Sequence, residues 1–458
     1  MTLSQTSNPL ESFQWTPQPK AEEFVSKLAH RFLSRSSFAR KLSQRLYDQA
    51  AVRFIDLIDS IHVTGSAALR DQLTHAGFLR RPLMNIQERY IQEKGIFPVV
   101  VLKDRGPMSL YLEVESVAEF LSVWQNSTAI VGQPLAAMRK ALVAHTNETE
   151  LWVIERHGHG GFDAPGIEPH QVVAVINHAE AFRLRRRSFI DSDGGFAFAQ
   201  KLIDGSIADL GTDRTSDLFF AAERDYWQRR NRAAQVQKTR QDKVGIGWAN
   251  HDHHTYRSSR EHFATMIRLF ERLGFHCRER FYAGAQAGWG AQVLEQPNTG
   301  IIIFADVDLS PDELFEDFAH AGLAPREKLG TVGLWCALHG EAFLEAGMHH
   351  LECQFDFDAL QRQLEADEGV KVMKPFTDFT YLRQAFTEGE TWPVPIDRIE
   401  RLLHAGRITA DQARQFREKG AIGSHLENLE RNQGFKGFNQ TGVSEIIART
   451  DPRAQLVH

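Results

Sequence analysis

The sequence predicts an α+β protein in two parts. Residues 1–245 form a mixed helical and stranded N-terminal domain, and residues 246–458 a half-barrel of paired β-α-β-β-β units. Three observations predict it. Near the start, and again before residue 245, apolar residues recur at three and four positions, the period of amphipathic helices. Between these stretches lie short β-branched runs bounded by Gly, Pro or polar residues, the mark of strands. After residue 245 a strand-helix-strand-strand-strand pattern appears and is then echoed.

In chain order, "AEEFVSKLAHRFL" and "FARKLSQRLYDQAAVRFIDLIDSI" carry the helical period. Strands are expected at "IFPVVVLK", "SLYLEV", "ELWVIERHG" and "HQVVAVINH", and helices at "VAEFLSVWQ" and "PLAAMRKALVAH". One long helix, "SDLFFAAERDYWQRRNRAAQVQKTRQDKV", connects the two domains. The second domain opens with strand "NHDHHTYRS" and helix "REHFATMIRLFERLGF", which sets Phe263, Met266, Ile267, Leu269, Phe270 and Leu273 on one side and has Gly274 near its end. Strands "HCRERFYA", "GWGAQVLEQ" and "GIIIFADV" complete that unit. The second unit begins at "GMHHLECQF" and continues through helix "DFDALQRQLEAD" and "VKVMKPF". After an insertion from Thr387 to Glu430, "FNQTGVSEIIART" closes it.

An apolar fraction of 42% with 24% charged residues is ordinary for a globular protein. A net charge of -6 argues against a general nucleic-acid binder, so the basic residues of the connecting helix read as a solvated face. Cys277, Cys336 and Cys353 stand far apart, which suggests neither a zinc knuckle nor a disulfide framework. Reducing, cytoplasmic surroundings are expected. "RHGHGGFD", with His157 and His159, reads as a surface turn because no third ligand stands at a recognisable spacing. No export signal and no stretch near the roughly 18 apolar residues of a membrane span is found. The expected partner is a small molecule rather than nucleic acid or membrane, and a homo-oligomer remains open.

The chemistry-bearing residues follow from strand alternation. On the first strand His251, His253, Thr255 and Arg257 share one face, and Asp252, His254 and Tyr256 the other. In the second unit Leu351, Cys353, Phe355 and Phe357 make an apolar face, leaving His350, Glu352 and Gln354 opposite. Glu445, flanked by Val443 and Ile446, is a carboxylate that needs a partner. From His253 to His350 is 97 positions, and from His350 to Glu445 is 95. Such even spacing is what duplicated units with one ligand each produce.

At these residues the C-terminal domain resembles the vicinal-oxygen-chelate superfamily, in particular the catalytic domain of the 4-hydroxyphenylpyruvate dioxygenase family. Asp252-His253-His254-Thr255 is similar to the family's Asp-His-x-Thr context. Gly347, His350, Leu351 and the later "VKVM" match its second ligand strand, and Glu445-Ile446-Ile447-Ala448-Arg449 its Glu-Ile-Ile-x-Arg. The resemblance covers residues 246–458. The family continues past its glutamate with a glycine-rich strand and a closing helix, whereas this sequence ends thirteen residues after Glu445, so a cover is expected from elsewhere. "NQGFKGFNQTG" and the helical "IDRIERLLHAGRI" and "ADQARQFREKG" are candidates. The first half shows no visible kinship to the family's non-catalytic unit.

The resemblance implies Fe(II) held by His253, His350 and Glu445, with His251 a competitor for the first position. It also implies oxidative decarboxylation of a 2-oxo acid by dioxygen. Two imidazoles and one carboxylate on one side of a metal leave neighbouring coordination positions open, which suits that chemistry. By side-chain type and strand position, Asn439 and Gln440 are candidate amide donors to substrate, and Arg257 and Arg449 candidate charge partners. Alternatives are an extradiol catechol dioxygenase, with His251, His254 or Tyr256 as acid/base, and a metal-dependent isomerase or lyase that uses no oxygen. A non-enzymatic binding module is a further reading.

Overall fold

The structure, a computed structural model, describes residues 15–82, 88–439 and 451–453. It opens with helices α1 (Pro19–Arg35) and α2 (Ser37–Ala50). Ser36 separates them: its backbone is extended, and its hydroxyl accepts from the Ala39 amide at 3.2 Å as the N-cap of α2. Val25, Leu28, Phe32, Leu42 and Leu46 bury the apolar stripes of the pair in the main core. Helical periodicity read through "DLIDSI" ends at Ala50, because that segment enters a sheet instead.

The first sheet takes β1 (Ile58–Thr64), α3 (Ala67–His75), β2 (Leu79–Pro82), β3 (Glu88–Ile91) and β4 (Val99–Lys103), then β5 (Met108–Glu113), α4 (Val117–Val123), β6 (Met138–His145) and β7 (Thr149–Arg156). Its order is β2-β3-β4-β1-β5-β7-β6, with β1 parallel to β4, β5 parallel to β7, and β1 antiparallel to β5. That is one β-α-β-β-β unit joined through its first strand to a second unit one strand shorter. The N-terminal half therefore repeats the architecture expected only of the C-terminal half.

Three local expectations fail here. "PLAAMRKALVAH" is good helix sequence, yet it supplies β6, because pairing with β7 outweighs intrinsic propensity. "HQVVAVINH" is β-branched, yet it lies inside α5 (Pro169–Leu184), started by Pro169 and a reciprocal Glu168–Gln171 capping box. After α6 (Ser192–Leu210), the single connecting helix is in fact two, α7 (Thr212–Gln228) and α8 (Arg232–Asp242). Asn231 divides them. Its side chain accepts from the Ala234 amide at 2.8 Å and donates to the Ser424 hydroxyl at 2.7 Å, so the break is pinned to the second sheet.

The first unit of the second sheet follows the expected plan. β8 (His251–Arg257), α9 (Phe263–Arg272), β9 (His276–Tyr282), β10 (Trp289–Glu295) and β11 (Ile302–Asp308) form it. Helix α10 (Thr331–His339) leads to the second unit, β12 (His350–Gln354), α11 (Phe357–Glu368), β13 (Thr377–Phe379), β14 (Leu382–Phe386), β15 (Glu390–Trp392), α12 (Ile396–His404), α13 (Ala410–Lys419) and β16 (Ala421–Arg431). The nine-stranded order is β13-β14-β16-β12-β8-β11-β10-β9, with β15 also on β16. Both units read first-fourth-third-second, and they meet through an antiparallel β8–β12 pair. The fold is thus the paired β-α-β-β-β half-barrel of the vicinal-oxygen-chelate type.

One assignment within the second unit changes. The segment taken as an insertion, Thr387 to Glu430, holds α12 and α13 but also most of β16, the fourth strand of the unit. "VKVMKPF" contributes only a single bridge, Val372 to Thr387. "FNQTGVSEIIART" lies outside the described residues from Gln440 onward. No helix among the described residues is long and apolar enough to cross a membrane.

Candidate metal centre

The tripeptide His-Leu-Glu occurs twice, at 350–352 and 425–427. β12 and β16 run parallel and in register, pairing His350 with His425, Leu351 with Leu426 and Glu352 with Glu427. Alternation then buries both leucines on one face and sets both His/Glu pairs on the other. Across the β8–β12 seam Glu352 lies opposite His253, and His350 opposite Thr255. Register alone therefore brings His253, His350, Glu352 and Glu427 together on the concave side.

At their centre is Glu352 Oε1, 2.7 Å from His350 Nε2 and 3.1 Å from His253 Nε2, and accepting from the Thr255 hydroxyl at 2.8 Å. Glu427 Oε2 is 3.8 Å from His350 Nε2. Ligand atoms of His253, Glu352 and Glu427 lie within 4.8 Å of one another. All four residues are buried. Burial holds both imidazoles below their ordinary value, so their nitrogens stay neutral and able to donate lone pairs. It also raises Glu352 well above the usual carboxylate range, reinforced by Glu427, and pushes Glu427 up to about 8. Oε2 of Glu352 has no hydrogen-bond partner. Two buried carboxylates beside two neutral imidazoles, with an orphaned oxygen among them, fit a divalent cation.

The surroundings orient these groups. Asp252 Oδ1 is 2.9 Å from His253 Nδ1, leaving Nε2 for the centre. Against the burial that would raise it, Arg431 holds Asp252 below its ordinary value through bonds of 2.9 and 3.0 Å. Gln354 adds a third donor at 2.9 Å, and the Gln384 amide donates to Glu427 Oε1 at 2.8 Å. Arg431 also donates to the carbonyls of Phe435 and Gly437, which brings Phe438 edge-on against His253 with ring centroids 4.9 Å apart. Arg431→Met is expected to cost about 3–5 kcal/mol by leaving the buried Asp252 charge without its cationic partner, with only His253 and Gln354 beside it. It should also weaken metal binding about 10–100-fold through His253, and denaturant melts with metal titration check both effects.

A cavity opens from this centre, with Phe281, Trp289, Phe304, Phe376, Phe386 and Phe438 as its wall. Arg257 lines the same cavity. Its Nε is 3.5 Å from Asp306 Oδ2, and its Nη1 is buried without a hydrogen-bond partner. Burial pushes Asp306 up to about 7 despite Arg257. Asn439 lines the same cavity and donates to Thr377 at 3.3 Å.

Of the residues picked from sequence, His253, His350, Arg257 and Asn439 thus face one cavity. Gln440, Glu445 and Arg449 lie outside the described residues. His254 and Tyr256 turn the other way, onto α7: His254 sits by Arg224 and the Phe220 ring, and the Tyr256 hydroxyl donates to Glu223 at 3.3 Å. His251 does not share the face of His253. The ladder slips opposite it, between Glu352 and Cys353, and His251 instead lines a separate cavity with Arg224 and His157. His157 is no plain surface turn either. It lies 3.1 Å from Asp217, and although burial alone would lower it, that carboxylate raises it to about 9. Glu352 and Glu427 are the residues missed, and the repeated His-Leu-Glu was the signal for them.

No family profile and no curated protein matches the chain. Among solved structures, it is similar to methylmalonyl-CoA epimerase from Mycobacterium tuberculosis, at 15% identity over 40% of this chain and 89% of that one, with a TM-score of 0.24. It is also similar to a mutant of 4-hydroxymandelate synthase from Streptomyces coelicolor, at 11% identity over 88% of this chain and 98% of that one, with a TM-score of 0.26. The assignment of the fold rests on strand order and register rather than on these likenesses.

Proposed function

We propose that this chain is a non-haem Fe(II)-dependent dioxygenase that oxidatively decarboxylates a 2-oxo acid. The observation that carries the reading is the convergence of His253, Glu352 and Glu427, with His350 Nε2 2.7 Å from Glu352, on an aromatic cavity that Arg257 also lines. Iron bound there would supply the redox chemistry and a chelation point for a keto acid. In the overall balance the keto acid loses CO2, one oxygen atom enters the new carboxylate, and the other enters the rest of the molecule.

The chain's own residues supply the remainder. Arg257 Nη1 offers an unused charged donor to a substrate carboxylate. Trp289 Nε1, also without a partner, offers a neutral one from the aromatic wall. Thr255 and Gln384 hold the carboxylates of Glu352 and Glu427, and Asp252 fixes the ring of His253. The phenylalanines exclude water around the reacting groups. An extradiol reaction has less support, since His251, His254 and Tyr256 point away from this cavity.

With Fe(II) and a panel of 2-oxo acids, the protein is expected to consume oxygen and release CO2 in equal amounts without added 2-oxoglutarate. Uptake with catechols alone would instead assign the extradiol reaction. Solvent-proton exchange into a substrate with no oxygen uptake would assign a metal-dependent isomerase or lyase.

A further inference from the structure

Away from the cavity, the edge of the second sheet carries another set of ligand-type side chains. Glu271 lies near the end of α9, Cys277 is on the edge strand β9, and His320 reaches them from the connection between β11 and α10. A carboxylate oxygen, the thiol sulfur and a ring nitrogen of these three lie within 4.8 Å of one another. His320 Nε2 is 2.9 Å from Glu271 Oε1, and its Nδ1 is 2.9 Å from both oxygens of Asp317. A turn closed by the His320 amide on the Asp317 carbonyl at 3.2 Å holds the ring in place.

Two features separate this cluster from an ordinary surface ion pair. Glu271 and Asp317 both pair with His320 and, among the described residues, with no arginine or lysine, so two carboxylates share one imidazole. The second feature is the thiol. The Cys277 sulfur is a free thiol within 4.8 Å of a Glu271 oxygen and a His320 ring nitrogen. Sulfur, imidazole nitrogen and carboxylate oxygen are a zinc donor set, and an aspartate on the far ring nitrogen is its usual outer support. Donors at about 2.0–2.3 Å from a tetrahedral metal stand roughly 3.5 Å apart, so side-chain shifts of about 1 Å close the set.

We propose that Glu271, Cys277 and His320 form a second divalent-metal site of zinc type, with Asp317 orienting His320 and water as the fourth ligand. Bound metal would clip the connection over residues 309–330 to α9 and β9. That connection links β11, which carries Asp306, to α10, whose first amides donate to Asp308.

Cobalt titration of the full-length protein tests it, because a sulfur-to-cobalt charge-transfer band reports a thiolate ligand. The cavity at His253 and Glu427 is lined by no cysteine, and Cys336 and Cys353 are buried. With the centre at His253 and Glu427 already filled with Fe(II), one further equivalent of cobalt is expected to produce the band, and zinc to abolish it and to shield Cys277 from alkylation. Cys277→Ser, close to isosteric, should lose the band, and Asp317→Asn should weaken cobalt binding about 10–100-fold. No sulfur band in the parent protein, or an undiminished band in Cys277→Ser, overturns the proposal.

Discussion

Glu427→Gln is expected to lose iron and turnover while making the metal-free protein more stable in alkaline solution. The two effects have one cause. Glu427 is raised from 4.5 to about 8 by burial, so it folds most easily when protonated. Its contribution to stability is present below about pH 4.5 and is lost as pH rises through about 8, where folding must bury the charge. A cation removes that penalty by binding the carboxylate, and binding releases the proton. Glutamine has the same shape and never ionises. Melting temperature of the metal-free variant should therefore fall less than the parent's as pH rises from about 4.5 to about 8, and the difference should stay constant above that. Iron affinity should drop by more than the ~10–100-fold that loss of an outer partner costs, with oxygen uptake falling alongside it. A variant that keeps iron and turnover removes Glu427 from the centre. Glu445→Gln, measured in parallel, tells whether the acidic residue picked from sequence adds to the set.

Arg257→Met is expected to spare iron binding and to impair use of the substrate. A charge-assisted hydrogen bond to a carboxylate in a dry cavity contributes about 2–3 kcal/mol, on the order of a hundredfold in kcat/KM. Asp306, already raised to about 7, takes up a proton when its partner goes, so the fold should survive the change. Steady-state oxygen uptake with parent and variant checks the effect. If Arg257 only neutralises Asp306, kcat/KM per folded molecule stays near the parent value and the loss appears in stability instead.

Where sequence reading succeeded and failed follows from what each segment is packed against. β8, α9 and β9 to β11 were legible because each carries its own period, and "HDHHT" and "GMHHLECQF" placed His253 and His350 on the correct strands. β16 was hidden because α12 and α13 are inserted before it, so the fourth strand stands far from the third. With it went Glu427 as a candidate, and the acidic residue picked from sequence, Glu445, lies outside the described residues. Glu352 was read onto the correct face beside His350, but nothing local marked it as a ligand, since its partners come from β8 and β16. The repeat in the first half was hidden for a different reason. Its strands swap propensity with helices, as in β6 and α5, and only the pairing order reveals two units. His251 was misplaced because strict alternation cannot foresee a ladder slip.

One metal ion is expected at the point where His253, His350, Glu352 and Glu427 meet. Anomalous diffraction at the iron edge, on crystals grown with Fe(II) under nitrogen, tests it most directly. A single strong peak within coordination distance of His253 Nε2, His350 Nε2 and a Glu427 oxygen is the expected result. A peak bound elsewhere, or none between these three side chains in crystals that contain iron, would contradict it.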